Sequence, residues 1–110
     1  PMDLKTLTEA MHAFVVSKGW YDDDSPKPQS PKNLAISLVL EASEVLEHYQ
    51  WGEASADKAE LASELADVML YLLQLASISE IDLGTAVMDK LDKNYQRTWE
   101  SDHPNSNDPM

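Results

Sequence analysis

Cysteine is absent from the 110-residue chain. Its absence excludes disulfides, thiolate nucleophiles and Cys-ligated zinc, and it fits a reducing cytoplasm, the compartment expected for this protein. Basic residues are scarce: 8 Lys and Arg stand against 20 Asp and Glu, for a formal net charge of -12. A chain this acidic repels nucleic acid polymers and anionic membranes, because binding a phosphate backbone requires a positive footprint. A small phosphate ligand stays open to it where a divalent cation bridges phosphate and carboxylates. No segment reads as a signal peptide. The longest apolar run, around the VMLYLL of Val68–Leu73, is shorter than a bilayer span. No stretch alternates with the two-residue period of a strand.

What the chain does carry is helical period. Hydrophobic residues make up 43% of the composition, enough for a packed core in one small domain. Leu4, Leu7, Met11, Phe14 and Val15 recur at helical spacing between Asp3 and Lys18, with Gly19 as a stop signal. A proline-rich, acidic loop, WYDDDSPKPQSPKN, follows; loops of this length in small domains often serve binding. Ser30 and Pro31 read as the cap and first turn of a second helix running to about Tyr49. Asp57, with Glu60 three residues on, caps a third helix to about Ser79, and Asp82 a fourth to about Trp99. Residues 1–100 are thus expected to form one domain, with 101–110 a flexible tail.

The expected fold class is all-α, a four-helix bundle-like protomer with short connections. Two adjacent apolar stripes run along the third helix, one of Leu61, Leu65, Val68, Leu72 and Leu75, the other of Ala62, Ala66, Met69, Leu73 and Ala76. A helix apolar around most of its girth is buried around most of it. A homo-oligomer, dimer or tetramer, is the expected cover; a central position in a monomeric bundle is the alternative.

Against this apolar background the acids stand out. Glu41 and Glu44 in LEASEVLEHYQW, and Glu64 and Asp67 in ELADVMLY, lie three residues apart and so share a helix face. If the two helices pack antiparallel, four carboxylates share a small volume. Two like charges about 6 Å apart, at an effective dielectric near 20, repel by roughly 3 kcal/mol. Either the groups take up protons or a cation sits among them. An all-oxygen set suits magnesium, with manganese as a substitute. A solvated acidic face is the ordinary reading of one such pair. Here the apolar neighbours and the lack of Lys or Arg at ion-pair offsets weaken it. Glu47 reads equally as a ligand, a supporting group or a surface acid. His48 follows Glu44 by four residues rather than three, so a di-iron Glu-x-x-His site is disfavoured and a helix-end role preferred.

EASEVLEHYQW followed by ELASELADVMLYLLQLA resembles the all-α MazG-like nucleotide pyrophosphohydrolases. The nearest likeness is to the short, single-domain branch that includes dCTP pyrophosphatases. The likeness runs from about Phe14 to Arg97. It includes the Trp before the second helix, the QW ending and a Lys…Asn…Arg helix, although the proline-rich loop is longer than that branch would suggest. The resemblance implies that Glu41, Glu44, Glu64 and Asp67 bind magnesium. It implies cleavage of nucleoside triphosphates between the α and β phosphates, in house-cleaning or control of nucleotide pools, with dCTP-like deoxynucleotides favoured. Glu44, ahead of Glu41, is the candidate general base.

Lys90, Asn94 and Arg97 form one face of the fourth helix. Alone they read as a solvated stripe; the resemblance turns them into a candidate phosphate clamp. The same resemblance puts Trp20, Trp51 and Tyr71 near the substrate, Tyr71 one turn beyond Asp67. Asn33 could bind base or sugar or simply serve the helix start, and Lys32 is equally open. Phe14 could line the substrate pocket or fill the core, and the core is the preferred reading. The readings from other classes are a helical protein–protein interaction module and a metal-binding regulatory module without catalysis.

Overall fold

The computed structural model describes residues 2–55 and 57–101, with side-chain surroundings given as far as Arg97. Four helices follow one another: α1 (Leu4–Ser17), α2 (Pro31–Glu47), α3 (Lys58–Ile78) and α4 (Leu83–Ser101). No strand occurs among the described residues, so the fold is all-α. The expected tail lies outside the described residues apart from Ser101, which closes α4.

Local chemistry sets the helix ends. Ser30 Oγ accepts from the Asn33 amide at 3.2 Å with Pro31 in the first turn, and Asp82 Oδ1 accepts from the Thr85 amide at 3.1 Å. Asp57 Oδ1 accepts from the Glu60 amide at 3.0 Å. The reciprocal half of that capping box is absent. The Asp57 amide instead donates to Ser55 Oγ at 3.3 Å, so Ser55 takes the place expected of the Glu60 side chain. At the end of α1, Gly19 takes φ 70°, with Gly19 N–H bonded to Val16 O and Trp20 N–H to Val15 O. This closing pair reverses the chain into the proline-rich loop, and a Cβ at Gly19 would meet Asp22 Oδ2 at 3.1 Å. The last turn of α2 tightens into three-residue hydrogen bonds through Gln50. The regular helix therefore ends at Glu47, two residues short of the expected Tyr49.

The described residues divide into two compact units, one ending at Glu80 and the other beginning at Ile81. In the first, α3 packs against both α2 and α1. Its core is small: Met11 and Val15 from α1, Leu34 from α2, Leu73 and Ala76 from α3. By length and composition α3 is also long and apolar enough to cross a membrane, which revises the expectation drawn from the longest uninterrupted run. The polar residues that break its apolar runs are too widely spaced to lower the average over a full span. In this structure α3 instead lies against α1 and α2 and buries Gln74 beside Leu73 and Ala76. On α2 the residues Ile36, Val39, Leu40 and Leu46 stand exposed along one face. The second unit, α4, exposes Val87, Met88, Leu91 and Tyr95.

Leu34 is 2% exposed, the most enclosed large side chain of the first unit. Leu34→Ala is expected to lower the unfolding free energy by about 2–5 kcal/mol, the range for emptying a packed leucine site. Urea denaturation followed by circular dichroism measures it, and a loss below about 1 kcal/mol would mean that the core is not where it has been placed here.

Candidate active site

Residue pairs across α2 and α3 run in opposite senses, Leu34 toward Gln74 and His48 against Glu64, so the helices are antiparallel. Antiparallel packing brings the C-terminal half of α2 over the N-terminal half of α3 and gathers the two acid pairs. Burial pushes the Glu41 carboxyl above its ordinary value. The hydrogen bond and charge of Glu44, then the charges of Asp67 and Glu64, push it the same way. All four predicted carboxylates are therefore electrostatic neighbours. Glu41 Oε2 is shielded from solvent without a hydrogen-bond partner among the described residues. As placed, the acids do not form a ready coordination shell: no group of three or more His, Asp or Glu side chains stands at ligand geometry among the described residues.

His48 does more than end its helix. Its Nε2 meets Glu64 Oε2, and its Nδ1 lies 2.8 Å from Ser55 Oγ in the α2–α3 turn. The sequence held one signal for a place near the acids: His48 follows Glu44 by four residues, on the same helix face.

Two hollows border the acids. The larger, about 690 Å³, opens on Asp67 and is walled by α1, the proline-rich loop and the facing parts of α2 and α3. Trp20, Tyr71 and Asn33, all predicted to contact substrate, line it. So does Phe14, which is 52% exposed and meets the Trp20 ring edge-on at 5.7 Å, rather than filling the core as expected. The physical reason is its place on α1, one residue before Val15, which takes the inward position. Lys27 Nζ lies 4.9 Å above the Trp20 ring. The Asn33 amide group donates to Pro28 O at 3.0 Å, so the side chain ties the loop to α2 while facing the hollow. The second hollow, about 520 Å³, is acidic and opens on Glu44, Glu47, His48 and Glu64. Trp51 borders this one, 90% exposed, and shares no wall with Trp20 or Tyr71. Lys90, Asn94 and Arg97 lie on α4 at helical spacing, in the second unit. An apolar, aromatic hollow edged by a few polar groups suits a planar base, and the adjoining carboxylates suit a cation that carries phosphate.

Residues 29–100 match the MazG nucleotide pyrophosphohydrolase domain. The chain belongs to the MazG nucleotide pyrophosphohydrolase family. Among its relatives, human dCTP pyrophosphatase 1 is 38% identical over 97 residues, which cover 79% of this chain and 54% of the human protein. The bovine dCTP pyrophosphatase 1 is 36% identical over the same coverage. This MazG chain thus spans about half the length of those relatives. A pyrophosphatase from Archaeoglobus fulgidus shares the fold with a TM-score of 0.73 at 34% identity, covering 94% of each chain. The matched MazG segment includes both acid pairs, Tyr71 and the Lys90–Arg97 stripe, but not Phe14 or Trp20.

The raised Glu41 carboxyl has a consequence for stability. Folded Glu41 holds its proton to higher pH than the unfolded side chain, whose ordinary value is 4.5. The native state therefore binds more protons above that pH, and stability falls as pH rises through the folded value. Glu41→Gln, measured by thermal unfolding in a chelator, is expected to raise Tm at neutral pH and to flatten the loss of Tm above pH 4.5. A lower Tm for this variant would contradict the crowded-acid geometry.

Proposed function

We propose that this MazG-family chain is a magnesium-dependent nucleoside triphosphate pyrophosphohydrolase that releases a nucleoside monophosphate and pyrophosphate. One observation carries the reading: the Glu41 carboxyl, pressed among three other acids with one oxygen unpartnered, lies in a cluster that borders an aromatic hollow. The donor set fits a hard divalent ion, because every acid offers oxygen and the unpartnered Oε2 lacks the hydrogen bond a buried carboxylate needs. Glu41, Glu44, Glu64 and Asp67 are the residues that would hold magnesium, or manganese in its place. When bound, such an ion neutralises phosphate charge and makes a water easier to deprotonate.

The chain's own groups divide the remaining work. Glu44, exposed on the side of the acidic hollow, is the proposed acceptor of the proton of an attacking water. Trp20 and Tyr71 offer faces for a base in the larger hollow, where Asn33 offers a polar edge. Trp51 walls the acidic hollow, and Lys90, Asn94 and Arg97 on α4 are the proposed clamp for the departing pyrophosphate. Residues 1–100 would act as a single catalytic domain. The names of the mammalian relatives support a dCTP-like deoxynucleotide as substrate. The exposed apolar face of α2 supports a homodimer or homotetramer.

Pyrophosphate release from a panel of ribo- and deoxynucleoside triphosphates, with and without magnesium, tests this function. Turnover is expected only with the divalent ion. Asp67→Asn is expected to lower kcat by roughly 100-fold or more and to abolish magnesium-induced thermal stabilisation, with far-UV circular dichroism unchanged. Near-normal rates in this variant would remove Asp67 from the site. Absence of turnover for every triphosphate would leave a non-catalytic interaction or metal-binding module.

A further inference from the structure

We propose that Gln74 is a positioning residue for substrate, holding the proline-rich loop as a wall of the nucleotide hollow. The inference rests on the reading of the larger hollow as the nucleoside pocket. Gln74 is the one polar side chain in the apolar stretch Val68–Ala76 of α3, and it is only 3% exposed. An amide at that depth needs partners, since burial without them costs a few kcal/mol. It finds them on the loop: Nε2 donates to Gln29 Oε1 at 2.8 Å and to the Tyr21 hydroxyl at 3.2 Å. Both amide hydrogens are thereby used, and they grip the loop at two points eight residues apart in sequence.

The hydrogen bonds continue beyond this grip. The Tyr21 oxygen accepts from Gln74 and also lies within hydrogen-bond distance, 2.6 Å, of His12 Nδ1. His12 Nε2 in turn pairs with Ser77 Oγ at 2.7 Å. Burial raises the Tyr21 phenol above its ordinary value and keeps it protonated. The chain of bonds begins on α3 at Gln74, crosses the loop and α1, and returns to α3 one turn later at Ser77. On the loop side, Gln29 Nε2 donates to Lys27 O at 2.6 Å, and Asn33 holds Pro28 O from α2. The segment Lys27–Gln29 is thus fixed from α3 and α2 together. Lys27 in this segment lies over the Trp20 ring.

A residue that merely stabilised the fold would have no reason to act on nucleotide binding once the protein was folded. Gln74 differs because its two acceptors sit in the loop that forms the wall of the hollow, and the width of the hollow follows the loop. Losing bonds that order a binding loop is worth a factor of about ten in affinity, since the ligand must then supply the ordering.

Gln74→Leu keeps the side-chain size and removes both donors; Gln29→Leu removes the acceptor from the loop and leaves the helices untouched. Amide hydrogen exchange of the full chain, without nucleotide or metal, is expected to quicken about tenfold across residues 19–30 in both variants and to stay unchanged in α2 and α3. With magnesium and nucleotide, KM is expected to rise about tenfold while kcat stays within about twofold of the parent. Unchanged loop exchange in Gln29→Leu, or an unchanged KM in a variant whose loop exchange has quickened, overturns the proposal. If the parent protein turns over no triphosphate, the catalytic reading fails and this proposal with it, whereas turnover with a still loop overturns the proposal alone.

Discussion

Four carboxylates brought together by two antiparallel helices repel one another, and the rest of the first unit is arranged around that strain. Glu41 shows the cost most directly, with its carboxyl raised by burial and by three acidic neighbours. Attraction must come from elsewhere along the same helix pair. It comes from the far end, where Leu34 of α2, Leu73 and Ala76 of α3, and Met11 and Val15 of α1 form the buried core. One end of the α2–α3 pair is thus held by apolar burial while the other carries charge that opposes packing. On the proposed reading, a site that crowds like charges before its ligand arrives gives up stability for function.

The polar network has a different role in the same economy of contacts. A core of five buried apolar side chains among the described residues offers little surface on which to dock the connection formed by residues 18–30. Apolar side chains from that loop could have done so, but they would have filled the hollow. Gln74, Tyr21 and His12 hold the loop by direction rather than by bulk, and leave the space beside Trp20 and Tyr71 open. Hydrogen bonds of defined geometry thereby preserve a cavity that hydrophobic collapse alone would close.

Local features of this fold were readable from sequence, and contacts between distant segments were not. Ser30, Asp57 and Asp82 cap helices through bonds to amides three residues ahead, so their role is written within one turn. The acid pairs were legible for the same reason: spacing of three sets a shared face whatever the tertiary fold. The Gln74 contacts join residues 45 and 53 positions apart and the His12–Ser77 bond spans 65, distances at which sequence period says nothing. A lone glutamine in an apolar run was nevertheless a visible sign that something polar waits in the core. Phe14 misled because an apolar residue at helical spacing fits either the core or a pocket rim, and only packing against the loop distinguishes them. The placement of Trp51 on the acidic hollow was likewise invisible, because it depends on how the turn after Gln50 leaves α2.

The two hollows differ in character in the way the two ends of a nucleotide differ. The larger is aromatic and largely apolar, suited to a planar base; the smaller is acidic and repels a bare phosphate chain. With a net charge of -12, the whole surface acts in the same sense as the smaller hollow. A free triphosphate approaching this protein meets repulsion at long range and again at the acids. A triphosphate already paired with a divalent cation meets neither in full, because the cation offsets part of its charge and is itself attracted to the carboxylates. On the proposed reading, the scarcity of Lys and Arg is therefore part of the recognition: it makes the metal complex, rather than the nucleotide alone, the species that the acids of α2 and α3 admit.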